Sequence, residues 1–467
     1  MFAGVRGVRI RRVSDAGGAG GGAIPLVEAR MTVTIEGVTA AIHRGAAEAR
    51  AAGAPDWLRE RRLRAWEVYE ETPLPTTSLE EWRYTDVSKL CLDDVALLEP
   101  GAGSGEIPAE ARAILEGKAA AGRVLQVGAR IASVEVDPTL AAKGVVVMDL
   151  AEAAVAHREL VEPYLATRAV PAEFGKFAAL NGALWTAGVF VYVPRGVRIE
   201  EPIRVARWVG EPGVAIFPRT LIVADEGSHV AYVDEFASPD FGRPVLSCGA
   251  VEVFARTGAQ VQYVALQRWG KGVRHVSAQR TIAERDADLD TLVVNLGGSV
   301  ARVDLEARLE GPGARSDMLG LYFAREDQHF DHNTRQDHVV PHANSDLLYK
   351  GALYDRANTV FRGLIKVYPK AQRTDAYQTN RNLLLSPDAQ AVSLPNLEIE
   401  ANDVRCSHGA TVGHLEDEEL FYLMSRGLPR PVAERLVIFG FFGEVLERLP
   451  LPGVVEELRA AIEAQLR

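Results

Sequence analysis

The chain has 467 residues, a formal net charge of −11 and a pI near 5.5. That balance argues against a general nucleic-acid binder, which needs a basic face to neutralise phosphates. No apolar run reaches the ~18 to 20 residues of a membrane span, so a soluble protein is expected. Hydrophobic residues at 47% and charged residues at 25% fit a globular chain with a large core. The three cysteines, Cys91, Cys248 and Cys406, are far apart and form no C-x-x-C pair. They suit a reducing cytoplasm and speak against a disulfide framework or an all-thiolate metal site.

Residues 1 to 30 carry five Arg and the glycine-rich run from Gly17 to Gly22. No h-region of signal-peptide length follows, so a disordered or mis-assigned extension is expected, with Met31 a second candidate start. Residues 31 to 122 read as a helical domain. Leu58, Leu63, Trp66 and Tyr69 form one broad helix face, and Pro73 and Pro75 end that helix. From 123 the texture turns to β, with a helical insertion at about 150–186.

From Gly188 to about Gly413 short β-rich runs alternate with turn residues. A small residue followed by a polar one recurs at Ser228, Ala259, Ala287, Ala314, Ala343 and Ala371, in steps of 31, 28, 27, 29 and 28 residues. Ala357 falls about half a step after Ala343, and Ala389 lies 18 residues beyond Ala371. Short strands that cannot bury their inner face alone build a continuous core when coils stack, and the small residue fits a tight corner. A β-sandwich would place turns every ~8 to 12 residues without the longer period. The constant step therefore favours a solenoid core over 123–413. Helical pattern resumes over 414–467. Residues 416–419 are acidic, as a first helical turn favours. Val432, Leu436, Phe439, Phe442, Val445, Leu446 and Leu449 then form one stripe. That stripe either packs on the solenoid or docks a partner.

Chemistry-bearing motifs are sparse. There is no Walker phosphate cradle, no G-x-S-x-G elbow and no H-E-x-x-H helix, so any ATP-dependent step must come from a partner. Cys406 and His408 are two apart and share a strand face, where thiolate and imidazole suit iron or zinc. Two ligands do not complete a site, so a second chain would supply the rest. The competing reading is a buried Cys beside a hydrogen-bonded His. His332, His338 and His342 share a strand parity, with His329 pointing away, and are minor metal candidates. Pro341 interrupts that run, and hydrogen-bonded coil edges compete with metal binding there.

The stretch from Asn181 to Ile203 (NGALWTAGVFVYVPRGVRIEEPI), Phe361 to Val367, Thr374 to Leu385, and Leu397 to Gly413 followed by Leu420 to Gly427 resemble the SufB/SufD family of iron–sulfur cluster assembly scaffolds. Val404-Arg-Cys-Ser-His-Gly-Ala-Thr-Val-Gly413 and Glu81-Trp-Arg-Tyr-Thr-Asp86 resemble its SufD-like branch. The SufB-like branch has a cysteine about where Ala389 stands. The resemblance implies a right-handed parallel β-helix flanked by helical domains and a non-enzymatic scaffold. It implies pairing with a SufB-like subunit through the late strands. It also implies that a SufC-like ATPase is held by the C-terminal helices, making Leu420, Phe421, Val432, Leu436, Phe439, Phe442, Val445 and Leu446 docking candidates. His408 matches the family histidine linked to cluster formation at the interface, with Cys406 beside it. No cofactor is expected to stay on this chain alone; iron or a nascent cluster would be transient cargo at the interface. In that scheme ATP-driven dimerisation of the SufC-like subunit moves the two β-helices and exposes the interface ligands. Whether the isolated chain forms homodimers through the same unpaired strands is left open by the sequence. The alternatives are a SufB-like scaffold that carries the cluster itself, a β-helix polysaccharide lyase and a homodimeric metal store.

Overall fold

A computed structural model describes residues 38–39, 42–99, 106–449 and 451–466; the N-terminal extension, 1–30, lies outside them. The chain is a parallel β-solenoid of about eight turns, with helices before and after it. Thirteen strands form its regular part. They are β1 (His229–Ala237), β2 (Val245–Ala255), β3 (Gln260–Arg268), β4 (Val273–Ala283), β5 (Asp288–Asn295), β6 (Val300–Leu309), β7 (Arg315–Ala324), β8 (His329–His338), β9 (Asn344–Leu353), β10 (Asn358–Val367), β11 (Asp375–Leu384), β12 (Gln390–Ile399) and β13 (Arg405–His414). Odd strands pair in order in one sheet and even strands in the other, all parallel. Each coil therefore holds one strand of each sheet, which is the period of about 28 residues.

The small residues mark the corners. Ser228, Ala259, Ala287, Ala314 and Ala343 each precede the first residue of an odd strand and are fully buried. Ala357 and Ala389 do the same for β10 and β12. Ala371 is buried too, yet β11 starts only at Asp375, because a turn through Arg373 at φ 58° intervenes. Inside the solenoid, side chains of neighbouring coils interlock. Tyr349 lies over Gly320, and Tyr322 lies over Gly351, its partner in the next strand. The early lumen also holds a buried Arg207–Asp234 ion pair, 2.6 Å between Nε and Oδ1.

The two outer faces are covered differently. Helices α1 (Arg44–Ala52) and α2 (Asp56–Glu71) pack on α3 (Lys176–Leu184), which lies on the even sheet at β2 and β4; Trp57, Leu58, Trp66, Leu180 and Trp185 belong to that core. The sequence stripe on α2 missed Arg62, which is buried. Its guanidinium donates to the carbonyls of Ala183 and Trp185 at the end of α3 and lies 4.1 Å from the Trp185 ring centre. Burial pulls its pKa down to about 9. The segment after α2 continues as a strap toward the open end. Trp82 stacks on Arg302 of β6, the Thr85 hydroxyl donates to Asp331 of β8 at 2.5 Å, and Arg362 of β10 donates to Glu80 at 2.8 Å.

Three C-terminal helices follow β13: α4 (Asp417–Ser425), α5 (Arg430–Glu447) and α6 (Pro452–Gln465). Helices α5 and α6 cover the odd sheet over β3, β5, β7 and β9, where Ile438, Phe442, Val445, Leu446, Leu458 and Ile462 meet Leu266, Leu292, Leu321 and Leu348. No helix among the described residues is long and apolar enough to cross a membrane.

Candidate functional site

Among the described residues nothing caps the end of the solenoid. β12 and β13 are the last strands of their sheets, and each is hydrogen-bonded along one edge only, to β10 and β11. Every residue of β13 is exposed or half-buried, in contrast to the fully buried β2. An edge of this kind presents a row of free N–H and C=O groups.

Cys406 and His408 lie on β13 opposite Ala376 and Gln378 of β11, on the lumen side of the strand, as their spacing predicts. They are not equivalent. Cys406 is half-buried against a small apolar group that includes Ile365, Val367, Ala371 and Ala376. Burial, with Asp375 nearby as a smaller cause, pushes its thiol above the usual range. At neutral pH the free Cys406 side chain is therefore a thiol, and a metal binding there would have to displace its proton. His408 is exposed at the mouth of the lumen. Among the described residues no group of three or more His, Cys, Asp or Glu side chains is arranged to hold a metal ion. Ala389 is buried at the corner before β12 and offers no ligand.

The histidines near 330 are not brought together. His332 faces the lumen, where Asn295 Nδ2 lies 2.7 Å from its Nε2 and the Tyr322 ring stacks on it at 4.7 Å. His338 is buried 2.7 Å from the Ser345 hydroxyl. His342 is exposed in the following turn at φ 63°, beyond the strand whose parity would have aligned it. His329 faces outward under the strap, 2.7 Å from Thr85. Burial holds both His332 and His338 down to about 4, so each is a neutral, hydrogen-bonded core side chain.

The eight docking candidates divide. Phe442, Val445 and Leu446 are buried against the odd sheet, and Leu420 is buried as well. These four are taken up by the chain's own packing. Val432 and Phe439 are half-buried, and only Phe421 and Leu436 stand exposed. The inward line of α5 runs through Ile438, which the stripe missed, because the buried face is turned away from Leu436. Two further exposed apolar residues, Tyr422 and Met424, join Phe421 on α4.

Residues 207–441 match the family model described as SUF system FeS cluster assembly, SufBD core domain, and 121–205 match the SufBD protein N-terminal region. The chain belongs to the SufBD family. Among SufBD relatives, the iron–sulfur cluster assembly protein SufD of Bacillus subtilis is 30% identical over 420 residues, 88% of this chain and 95% of the relative. An iron–sulfur cluster assembly SufBD family protein of Staphylococcus epidermidis is 28% identical over 415 residues, 86% of this chain and 88% of the relative. The matched SufBD core spans β1 to β13 and α4, together with most of α5.

Proposed function

We propose that this chain is the SufD-like, non-enzymatic half of a cytoplasmic cluster-assembly scaffold. It pairs with a SufB-like subunit through β12 and β13, and it holds a SufC-like ATPase on its C-terminal helices. Iron and sulfide are cargo at the subunit interface, and His408 supplies one ligand there. The observation that carries this reading is the open end of the solenoid, which presents an exposed imidazole on an unpaired edge strand. A parallel edge of this length is completed by another chain's strands. The absence of a phosphate-cradle motif in the sequence assigns ATP hydrolysis to the partner. The isolated chain is expected to self-associate through the same edge.

The test is co-purification of the chain with its SufB-like and SufC-like partners, wild type against His408→Ala, scored for cluster absorbance after anaerobic isolation. The expected result is an intact complex in both and loss of clusters in the variant. Unchanged clusters would remove His408 from the interface chemistry. The rival SufB-like reading expects a cluster on this chain without partners; the SufD-like reading expects none.

A further inference from the structure

Three buried amide side chains, Gln378, Asn380 and Asn382, face the lumen from β11, the strand beneath β13. Asn380 is fully used. Its Nδ2 donates to the Tyr322 hydroxyl and the Tyr349 carbonyl, and its Oδ1 accepts from Asn382 and Ser393. Asn382 Oδ1 accepts from the Tyr322 hydroxyl at 2.6 Å. Gln378 differs. Its Nε2 donates to the Asn396 carbonyl of β12 at 2.9 Å, but its Oε1 is buried with no donor among the described residues. The partner settles which end is which, because a backbone carbonyl can only accept. A Cβ on Gly363 of β10 would overlap that oxygen, so the glycine leaves the slot in which the amide head lies.

β13 covers these amides in register. Ala410 lies over Asn380, Val412 over Asn382 and His408 over Gln378, with neighbouring strands about 4.8 Å apart. The satisfied amides thus lie under apolar side chains, and the unsatisfied oxygen lies under the imidazole. His408 itself forms no hydrogen bond or ion pair among the described residues. A buried carbonyl without a donor is costly. An imidazole N–H one strand away is the right kind of donor and within side-chain reach.

Resting on the proposed role of His408 as an iron ligand, we infer that Gln378 is its positioning residue. Gln378 Oε1 accepts the N–H of the lumen-facing ring nitrogen of His408. That bond fixes one tautomer and leaves the outward nitrogen free for iron. A ligating histidine has its second ring N–H held by an acceptor, and the acceptor sets which nitrogen carries the proton. The bond from Gln378 Nε2 to Asn396 ties the same amide to β12, so acceptor, imidazole and both edge strands share one register.

The experiment uses the full chain with nitrogen-15 in its histidine rings, alone and in complex with its SufB-like and SufC-like partners. Gln378→Met keeps the side-chain length and loses both polar ends. Gln378→Glu keeps an acceptor oxygen and loses the donor to Asn396. Thermal melts confirm folding of both variants. Above the histidine titration range, the His408 ring signals, assigned by their loss in His408→Ala, are expected to show a single tautomer in the wild type. Gln378→Met is expected to show a mixture of both and to lower the iron retained by the complex about 10-fold or more. Gln378→Glu is expected to restore the single tautomer and most of the iron. An unchanged single tautomer in Gln378→Met overturns the proposal. Equal loss of iron in the Met and Glu variants reduces Gln378 to a strand tie and overturns it as well. Unchanged clusters in His408→Ala overturn instead the ligand reading on which it rests.

Discussion

At the first coils the antiparallel strands Arg130–Val136 and Val146–Asp149 lie along the sheet edges, whereas at the last coil β12 and β13 have no neighbour beyond them among the described residues. The outer faces follow the same division. Helices α2, α3, α5 and α6 cover the early and middle strands, and the strap reaches only as far as β10. Antiparallel flanking strands block further parallel addition. The difference teaches that growth of the sheets is blocked at one end and left open, among the described residues, at the other. Stability should therefore be concentrated in the covered coils and binding chemistry at the uncovered ones.

The largest expected effect breaks the cover. Phe442→Ala removes a fully buried ring from the α5–sheet contact and should cost about 4 kcal/mol. It should appear as early loss of amide protection in α5 and α6. Leu436→Ala, on the exposed side of the same helix, should change stability by less than about 0.5 kcal/mol. Equal effects would mean that the helix is not docked by this face.

Next is the interlocked lumen. A side chain at position 351 would intrude on the buried Tyr322 ring, so Gly351→Val should cost about 3 kcal/mol. At the open end a Cβ on Gly409 would lie 3.6 Å from the Tyr377 hydroxyl, and Gly409→Val should be close to neutral. Chemical denaturation of the two variants measures the contrast; a tolerant Gly351 would place the closed core elsewhere.

Smallest near neutral pH is a pH dependence. His275, His332 and His338 sit in the covered coils with pKa values pulled down to about 4 by burial. Unfolded histidine titrates near 6.5, so between those values the unfolded chain binds more protons. Stability should be complete above about pH 6.5 and should fall as the pH drops toward 4. Replacing His332 with Asn should reduce that slope in urea melts at successive pH values, and an unchanged slope would show that His332 is not held neutral by the fold.

The sequence by itself determined the solenoid and its step. A small residue is required wherever coils turn tightly, and that requirement repeats along the chain as visibly as Ala259, Ala287, Ala314 and Ala343. It also placed Cys406 and His408 on one face, because strand parity is local. Tertiary structure alone decided what lies against each face. It separated His332, His338 and His342 by turning the chain after His338, so that nearness in sequence did not become a shared site. It chose Ile438 over Leu436 for the buried line of α5, buried Arg62 beneath the end of α3, and left His408 exposed while half-covering Cys406. Periodicity fixes which residues share a side, but only the neighbouring element fixes which side is dry.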